Sequence, residues 1–256
     1  MSEALPISED IKSQVTTEEW KTREDLAAAY RLVANYGWDD MVFTHLSARV
    51  PGPEDHFLLN PFGVLFEEVT ASSLVKIDLN GEIVLDNGYQ VNAAGFTIHS
   101  AIHGAREDAM AVMHLHTDAG VAVSCMEEGL LPLNQHAMFV YHDVAYHDWE
   151  GVALNLDERE RLVADIGNKH LMMLRNHGTL AVGGSIASCF MRLYYLERSC
   201  DIQVKAMSGK LSMPNQAAVE MMKETFSNPQ AWEGIGATSW PAMRRLADRL
   251  DPNYKN

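Results

Sequence analysis

Cysteine is scarce in this sequence. The 256 residues hold three, Cys125, Cys189 and Cys200, scattered and without a Cys-x-x-Cys. They supply no disulfide framework, and a reducing, cytoplasmic compartment is expected. Long apolar runs are missing too. None approaches the roughly 20 residues of a membrane-spanning helix, and the opening stretch from Met1 to Asp10 is acidic and lacks the apolar centre of a secretory leader. Basic residues are in the minority, 20 Lys and Arg against 35 Asp and Glu, for a formal net charge of -15. With no Lys/Arg cluster, neither nucleic acid nor an anionic membrane surface is an expected partner.

What is present suffices for a sizeable core. Hydrophobic residues make up 47% and charged residues 21%, enough for one large domain without a metal to hold it together. Residues 1–16 read as a flexible polar arm, 17–210 as the main domain and 211–256 as a C-terminal helical extension. Thr16 with Glu19 makes a capping box ahead of a helix that stops at Gly37. Strands are expected over 42–50 and 56–59, and on both sides of Asn80-Gly81, a pair suited to a type I′ hairpin. Helices are expected over 93–107, 156–166 and 185–206, with one or two short helices in the last fifty residues.

The chemistry-bearing residues are histidines. His114 and His116 lie in Val112-Met-His-Leu-His-Thr-Asp118, an apolar alternating run that reads as a strand, and side chains two apart on a strand leave the same face. His177 follows a second apolar run, Leu171-Met-Met-Leu174, in the polar turn Arg175-Asn-His-Gly178. Three imidazoles converging on one point suit a divalent transition metal with a position left open for substrate or water. By spacing alone the pair could equally be two residues on a half-polar strand face, and spacing does not place the third histidine.

The motifs Gly95-Phe-Thr-Ile-His-Ser-Ala-Ile-His103, Val112-Met-His-Leu-His-Thr-Asp-Ala-Gly120 and Leu174-Arg-Asn-His-Gly178, with the Pro61-Phe-Gly63 and Glu68-Val-Thr-Ala-Ser-Ser-Leu-Val-Lys-Ile77 blocks, resemble the class II aldolase/adducin family from about Thr17 to Met207. The resemblance implies a three-layer α/β/α fold with a central, largely antiparallel sheet. It also implies a homo-oligomer, usually a tetramer, with active sites between neighbouring subunits. It makes His114, His116 and His177 the ligands of a divalent metal, Zn2+ first, with Mn2+ and Fe2+ as alternatives. In the family's sugar-phosphate aldolases an acid stands where Gly95 is, and two phosphate-holding serines where Ala93 and Ala94 are. A Gly-Asn phosphate loop is replaced by Thr44-His45, and a Thr-Gly turn by Phe62-Gly63. A phosphate dianion needs convergent donors to offset its desolvation, so a non-phosphorylated small molecule is the expected substrate. In these places Val91-Asn-Ala-Ala-Gly-Phe96 and Val144-Ala-Tyr-His-Asp148 are closer to the adducin head, a non-catalytic assembly domain.

Three neutral histidines leave the metal's double charge uncompensated, which suits stabilisation of an enediolate in aldol cleavage or decarboxylation of a carbonyl or hydroxy-acid compound. With no acid at position 95, the proton carrier must lie elsewhere. His136 and Tyr141 are the candidates, and Glu67 or Glu68 of another subunit could replace the missing carboxylate. His147 is expected to serve packing, as are His99 and His103, one helical turn apart. Two other readings stay open: an adducin-like interaction module, and a non-haem iron oxygenase, although iron oxygenases commonly use two histidines and a carboxylate.

Overall fold

The structure is a computed structural model that describes residues 11–52, 55–91, 93–151 and 157–256. The Thr16 hydroxyl accepts from the Glu19 N–H at 3.1 Å and caps helix α1 (Thr17–Asn35), which ends as Gly37 turns left-handed at φ +66°. Strands β1 (His45–Arg49), β2 (His56–Leu59), β3 (Val75–Asp78) and β4 (Ile83–Leu85) follow, then α2 (Ala93–Ala105) and β5 (Ala111–Leu115). Helices α3 (Asp118–Ser124) and α4 (Gln135–Val140) lead to β6 (Val144–His147) and α5 (Glu158–Ile166). The chain closes with β7 (Leu171–Leu174), β8 (Gly178–Gly183), α6 (Ile186–Ala206), α7 (Gln216–Phe226) and α8 (Pro229–Leu250).

The strands form one sheet in the order β4-β3-β2-β1-β5-β8-β7-β6, antiparallel at every pairing except β6–β7. Alternation along the central strands divides two apolar layers. Val112, Met172, Leu180 and Val182 face Ile98 and Ile102 of α2 and Leu162 and Ile166 of α5. Their strand neighbours Met113, Met173 and Ala181 point the other way, into a larger cluster with Leu26, Leu193 and Trp232 from α1, α6 and α8. The result is the expected three-layer α/β/α architecture around a largely antiparallel sheet.

Three expectations change in detail. A type I′ turn needs left-handed backbone at both central residues, yet of Asn80 and Gly81 only Gly81 has it, at φ +89°. The Asp78 carboxylate accepts from the Asn80 and Glu82 N–H groups at 2.8 and 2.9 Å, and the hairpin closes over a three-residue loop with Gly81 N–H on Asp78 O. The last fifty residues hold the expected short helix, α7, and then a long one of 22 residues, α8, which continues through Pro241. Its signal is masked by Gly234, Gly236 and Pro241, and Gly236 is needed because a Cβ there would meet the Ser188 nitrogen at 2.7 Å. Residues 1–10 of the expected arm lie outside the described residues, whereas 11–14 form a 3-10 turn whose Ile11 is buried with Trp20 and Ala71. Among the described residues no helix is long and apolar enough to cross a membrane.

Candidate metal centre

The triad assembles at one end of the interior strands β5, β8 and β7, where three chain segments meet. His114 lies in β5, between His45 of β1 and Leu180 of β8. His116 follows the last residue of β5, and His177 sits in the tight turn between β7 and β8, closed by its own N–H on Leu174 O at 3.0 Å, with Asn176 at φ +57°. Gly178 makes the approach possible, since a Cβ there would overlap the Leu115 carbonyl oxygen and lie 3.1 Å from the His116 ring. The rings of His114, His116 and His177 are 4.7, 4.8 and 4.7 Å apart pairwise, and each offers a nitrogen within 4.8 Å of the other two.

Their hydrogen bonds settle which nitrogen is free. His114 Nδ1 lies 2.8 Å from the Thr179 carbonyl and His116 Nδ1 3.1 Å from the Asp40 carboxylate. Both partners only accept, so Nδ1 carries the proton in each ring and Nε2 carries a lone pair. The two Nε2 atoms face each other at 2.9 Å. A contact at that distance needs either a shared proton or a cation between the nitrogens, and nitrogens bound to tetrahedral Zn2+ at about 2.0–2.1 Å sit about 3.3 Å apart. The residues therefore fit a divalent transition metal. Burial, then the charges of His177 and His116, holds His114 well below the ordinary imidazole range, and burial chiefly pushes His177 down to about 4. Both are thus neutral, ligand-ready bases at physiological pH.

Several residues around the triad were not signalled as site residues by the sequence motifs. Asp40 reaches His116 from the loop between α1 and β1, in which Met41 (φ +52°) and Thr44 (φ +66°) are left-handed. For a β-branched residue such as Thr44 that conformation is strained. His45 follows, 5% exposed, and neither its ring nitrogens nor Thr44 Oγ1 has a protein partner. Burial above all, then the charges of His116 and His177, keeps His45 neutral, with its pKa lowered to about 3. Its ring fills the space above Gly95: a Cβ on that glycine would stand 2.5 Å from His45 Cδ2. The two departures at Thr44-His45 and Gly95 are thus one event, an imidazole in place of a side chain at position 95. Behind the triad, buried Glu197 of α6 accepts from the hydroxyls of Thr117 and Thr179, and burial raises its carboxyl to about 7. Since Thr117 follows His116 and Thr179 lies two residues after His177, Glu197 fastens both segments to α6.

The other sequence candidates lie apart from the triad within one chain. His136 is half-buried on α4 against Tyr195, and Tyr141 is exposed beside a cavity lined by Lys169 and Lys223. Glu68 accepts from the Leu65 N–H in its own turn at 3.0 Å, and Glu67 borders a cavity with Arg31 and Asp251. His147 is buried, with Nδ1 2.7 Å from Asp165 and Nε2 3.4 Å from Glu158, and so ties β6 to α5. His99 Nδ1 and His103 Nε2 meet the Ser47 hydroxyl at 2.6 and 2.7 Å, pinning α2 to β1. All three serve packing, as expected.

The family model for the class II aldolase and adducin N-terminal domain matches residues 24–204, and the chain belongs to this family. A Caulobacter vibrioides protein named "Putative aldolase class 2 protein" is 55% identical over 255 residues, covering 98% of each chain. Mouse alpha-adducin is 39% identical over 242 residues, which cover 88% of this chain and 32% of the adducin. Among solved structures, an aldolase II superfamily protein from Pseudomonas syringae has a TM-score of 0.91 at 46% identity, covering 97% of this chain and 100% of that one. The L-fuculose 1-phosphate aldolase from Glaciozyma antarctica PI12 has a TM-score of 0.82 at 28% identity, covering 99% and 97%.

Proposed function

We propose that the chain is a metal-dependent lyase that performs aldol cleavage or decarboxylation on a small, non-phosphorylated carbonyl or hydroxy-acid compound. The observation that carries this reading is the pair of Nε2 atoms, 2.9 Å apart, converging with His177 on one point. His114, His116 and His177 would hold the metal, with Zn2+ preferred by three neutral nitrogens and Mn2+ or Fe2+ within reach of the same set. When bound, the metal supplies Lewis acidity toward negative charge developing on a substrate oxygen.

The chain's own residues hold and orient. Thr179 and Asp40 keep two imidazoles in the ligating tautomer. Thr44 Oγ1 and the His45 nitrogens, buried behind the triad and without protein partners, leave polar capacity next to the centre but no surface that a substrate reaches directly. A phosphate is disfavoured because the positions that hold it in the family's sugar-phosphate aldolases are Ala93, Ala94 and Phe62 in this sequence, residues without a side-chain donor, although the similar Glaciozyma protein is an L-fuculose 1-phosphate aldolase. His136 and Tyr141 lie away from their own chain's triad, so as proton carriers they would serve a neighbouring chain's centre in a homotetramer.

The test is metal content by elemental mass spectrometry on untagged protein, compared with the His114→Ala/His116→Ala variant. About one Zn, Mn or Fe per chain, lost in the variant and accompanied by metal-dependent turnover of hydroxy acids, is expected. No metal, and none taken up on titration, would refute the enzyme and leave an adducin-like assembly module, the reading that the adducin likeness favours. Bound iron with oxygen uptake would point instead to an oxygenase.

A further inference from the structure

Arg192 of α6 is a buried cation that no carboxylate among the described residues contacts, Asp143 and Glu233 acting on it only from beyond ion-pair distance. It is 1% exposed, its Nε has no partner, and Nη1 donates a long hydrogen bond of 3.5 Å to the Val182 carbonyl. The Trp232 ring covers the guanidinium at 5.3 Å, but no acid among the described residues comes within ion-pair distance of it. Buried guanidinium groups are ordinarily paired, because an isolated charge in a low-dielectric interior is costly.

Arg192 lines a cavity of about 600 Å³ together with Arg106, Lys169, His170 and Lys223. The two carboxylates on its wall are already engaged: Asp108 with Arg106 at 2.6 Å, and Asp143 with His170 at 3.0 Å. With Arg106 paired to Asp108 and the Lys169 ammonium donating to the His142 carbonyl, the wall still carries four cations against two acids, a local positive excess in a chain whose net charge is -15. The cavity is also separate from the triad. His170 precedes the first residue of β7 and His177 follows its last, so the two sites lie at opposite ends of that strand, roughly 15 Å apart or more.

We infer that this cavity is a second ligand site, which binds a small multivalent oxyanion, a phosphorylated or polycarboxylate compound, on the unpaired guanidinium of Arg192. A planar guanidinium and flanking ammonium groups match the oxygens of phosphate and carboxylate alike. The volume is ample for a small metabolite. The site goes beyond the lyase reading and does not depend on it.

The experiment is thermal unfolding and calorimetric titration of the full chain with inorganic phosphate and, separately, citrate, at constant ionic strength set with sodium chloride. Saturable binding with a rise in Tm is expected for at least one of them, and the preferred anion distinguishes the phosphoryl from the carboxylate source. Lys169→Ala/Lys223→Ala, changed outside the core, should weaken binding at least tenfold, and Arg192→Met should abolish it while unfolding no lower than wild type without anion. Because His114→Ala should bind as wild type does, loss of binding in that variant would place the anion at the triad and overturn the inference. Absence of saturable binding, equal affinity in the Lys169→Ala/Lys223→Ala protein, or a Tm rise explained wholly by a change of oligomeric state in light scattering would overturn it too. The last result would assign Arg192's partner to a second copy of the chain.

Discussion

Replacing Gly95 with alanine sets two effects of opposite sign against each other. Gly95 lies in α2, where alanine is intrinsically better by up to roughly 1 kcal/mol. The added Cβ, however, would stand 2.5 Å from His45 Cδ2 and 2.6 Å from Cγ, about 1 Å inside the roughly 3.5 Å at which carbons touch. His45 cannot swing into solvent, being 5% exposed and held in β1 opposite His114. Forcing a methyl into such packing costs about 1–3 kcal/mol, so Gly95→Ala should destabilise by about 1–2 kcal/mol. In a His45→Ala background the obstacle is gone, and the same change should become neutral or stabilising. Urea denaturation of the four proteins of this double-mutant cycle, all stripped of metal by chelator, should give a coupling near 2 kcal/mol. Effects additive to within about 0.5 kcal/mol would refute the claim that the imidazole occupies the glycine's missing side-chain space.

Three further outcomes follow from the same geometry. Burial raises the Glu197 carboxyl from 4.5 to about 7. The folded state thus keeps a proton that the unfolded chain releases, and stability should fall as pH rises from about 4.5 to 7, by at most about 3 kcal/mol; Glu197→Gln should flatten that part of the denaturation profile, and an unchanged slope would count against the assignment. His177, lowered to about 4, stays neutral well below the usual imidazole pKa, so chelator competition should show bound metal retained at pH 5.5 and released toward pH 4, whereas release centred near 6.5 would contradict it. Asp40→Asn removes the carboxylate that fixes the His116 tautomer and should weaken metal binding by about 10–100-fold; a change under twofold in a competition assay would show that Asp40 is dispensable.

What could be read from the sequence follows from how local each signal is. His114 and His116 share a face because a strand repeats every two residues, and Asn-His-Gly marks a turn whose glycine lets it lie against the end of β5. Asp40 carries no such mark. It stands 76 residues before His116 and arrives through a loop with left-handed Met41 and Thr44, a conformation that neither residue type advertises. His45 and Gly95 are both visible as departures from the aldolase pattern, but only the pairing of β1 with β5 and the packing of α2 show that one fills the space left by the other. The Asn80-Gly81 turn and α8 show local preference overridden by neighbours, by the Asp78 carboxylate in one and by close packing of Gly236 on α6 in the other.

The placement of acids around the triad bears on its chemistry. No carboxylate is among the three groups that converge; Asp40 stands one hydrogen bond behind them, on the ring of His116, and Glu197 lies farther back on the hydroxyls of Thr117 and Thr179. Asp40 brings negative charge to the triad through the His116 imidazole and fixes the orientation of that ring without being one of the three converging groups. Glu197 is close to half-protonated near neutrality and so adds little fixed charge there. A divalent metal held by the three imidazoles would keep its Lewis acidity, since no carboxylate is among the residues that would hold it. The cost is that no acid at position 95 is at hand to move a proton, and the buried, unpaired imidazole of His45 is what stands in that place.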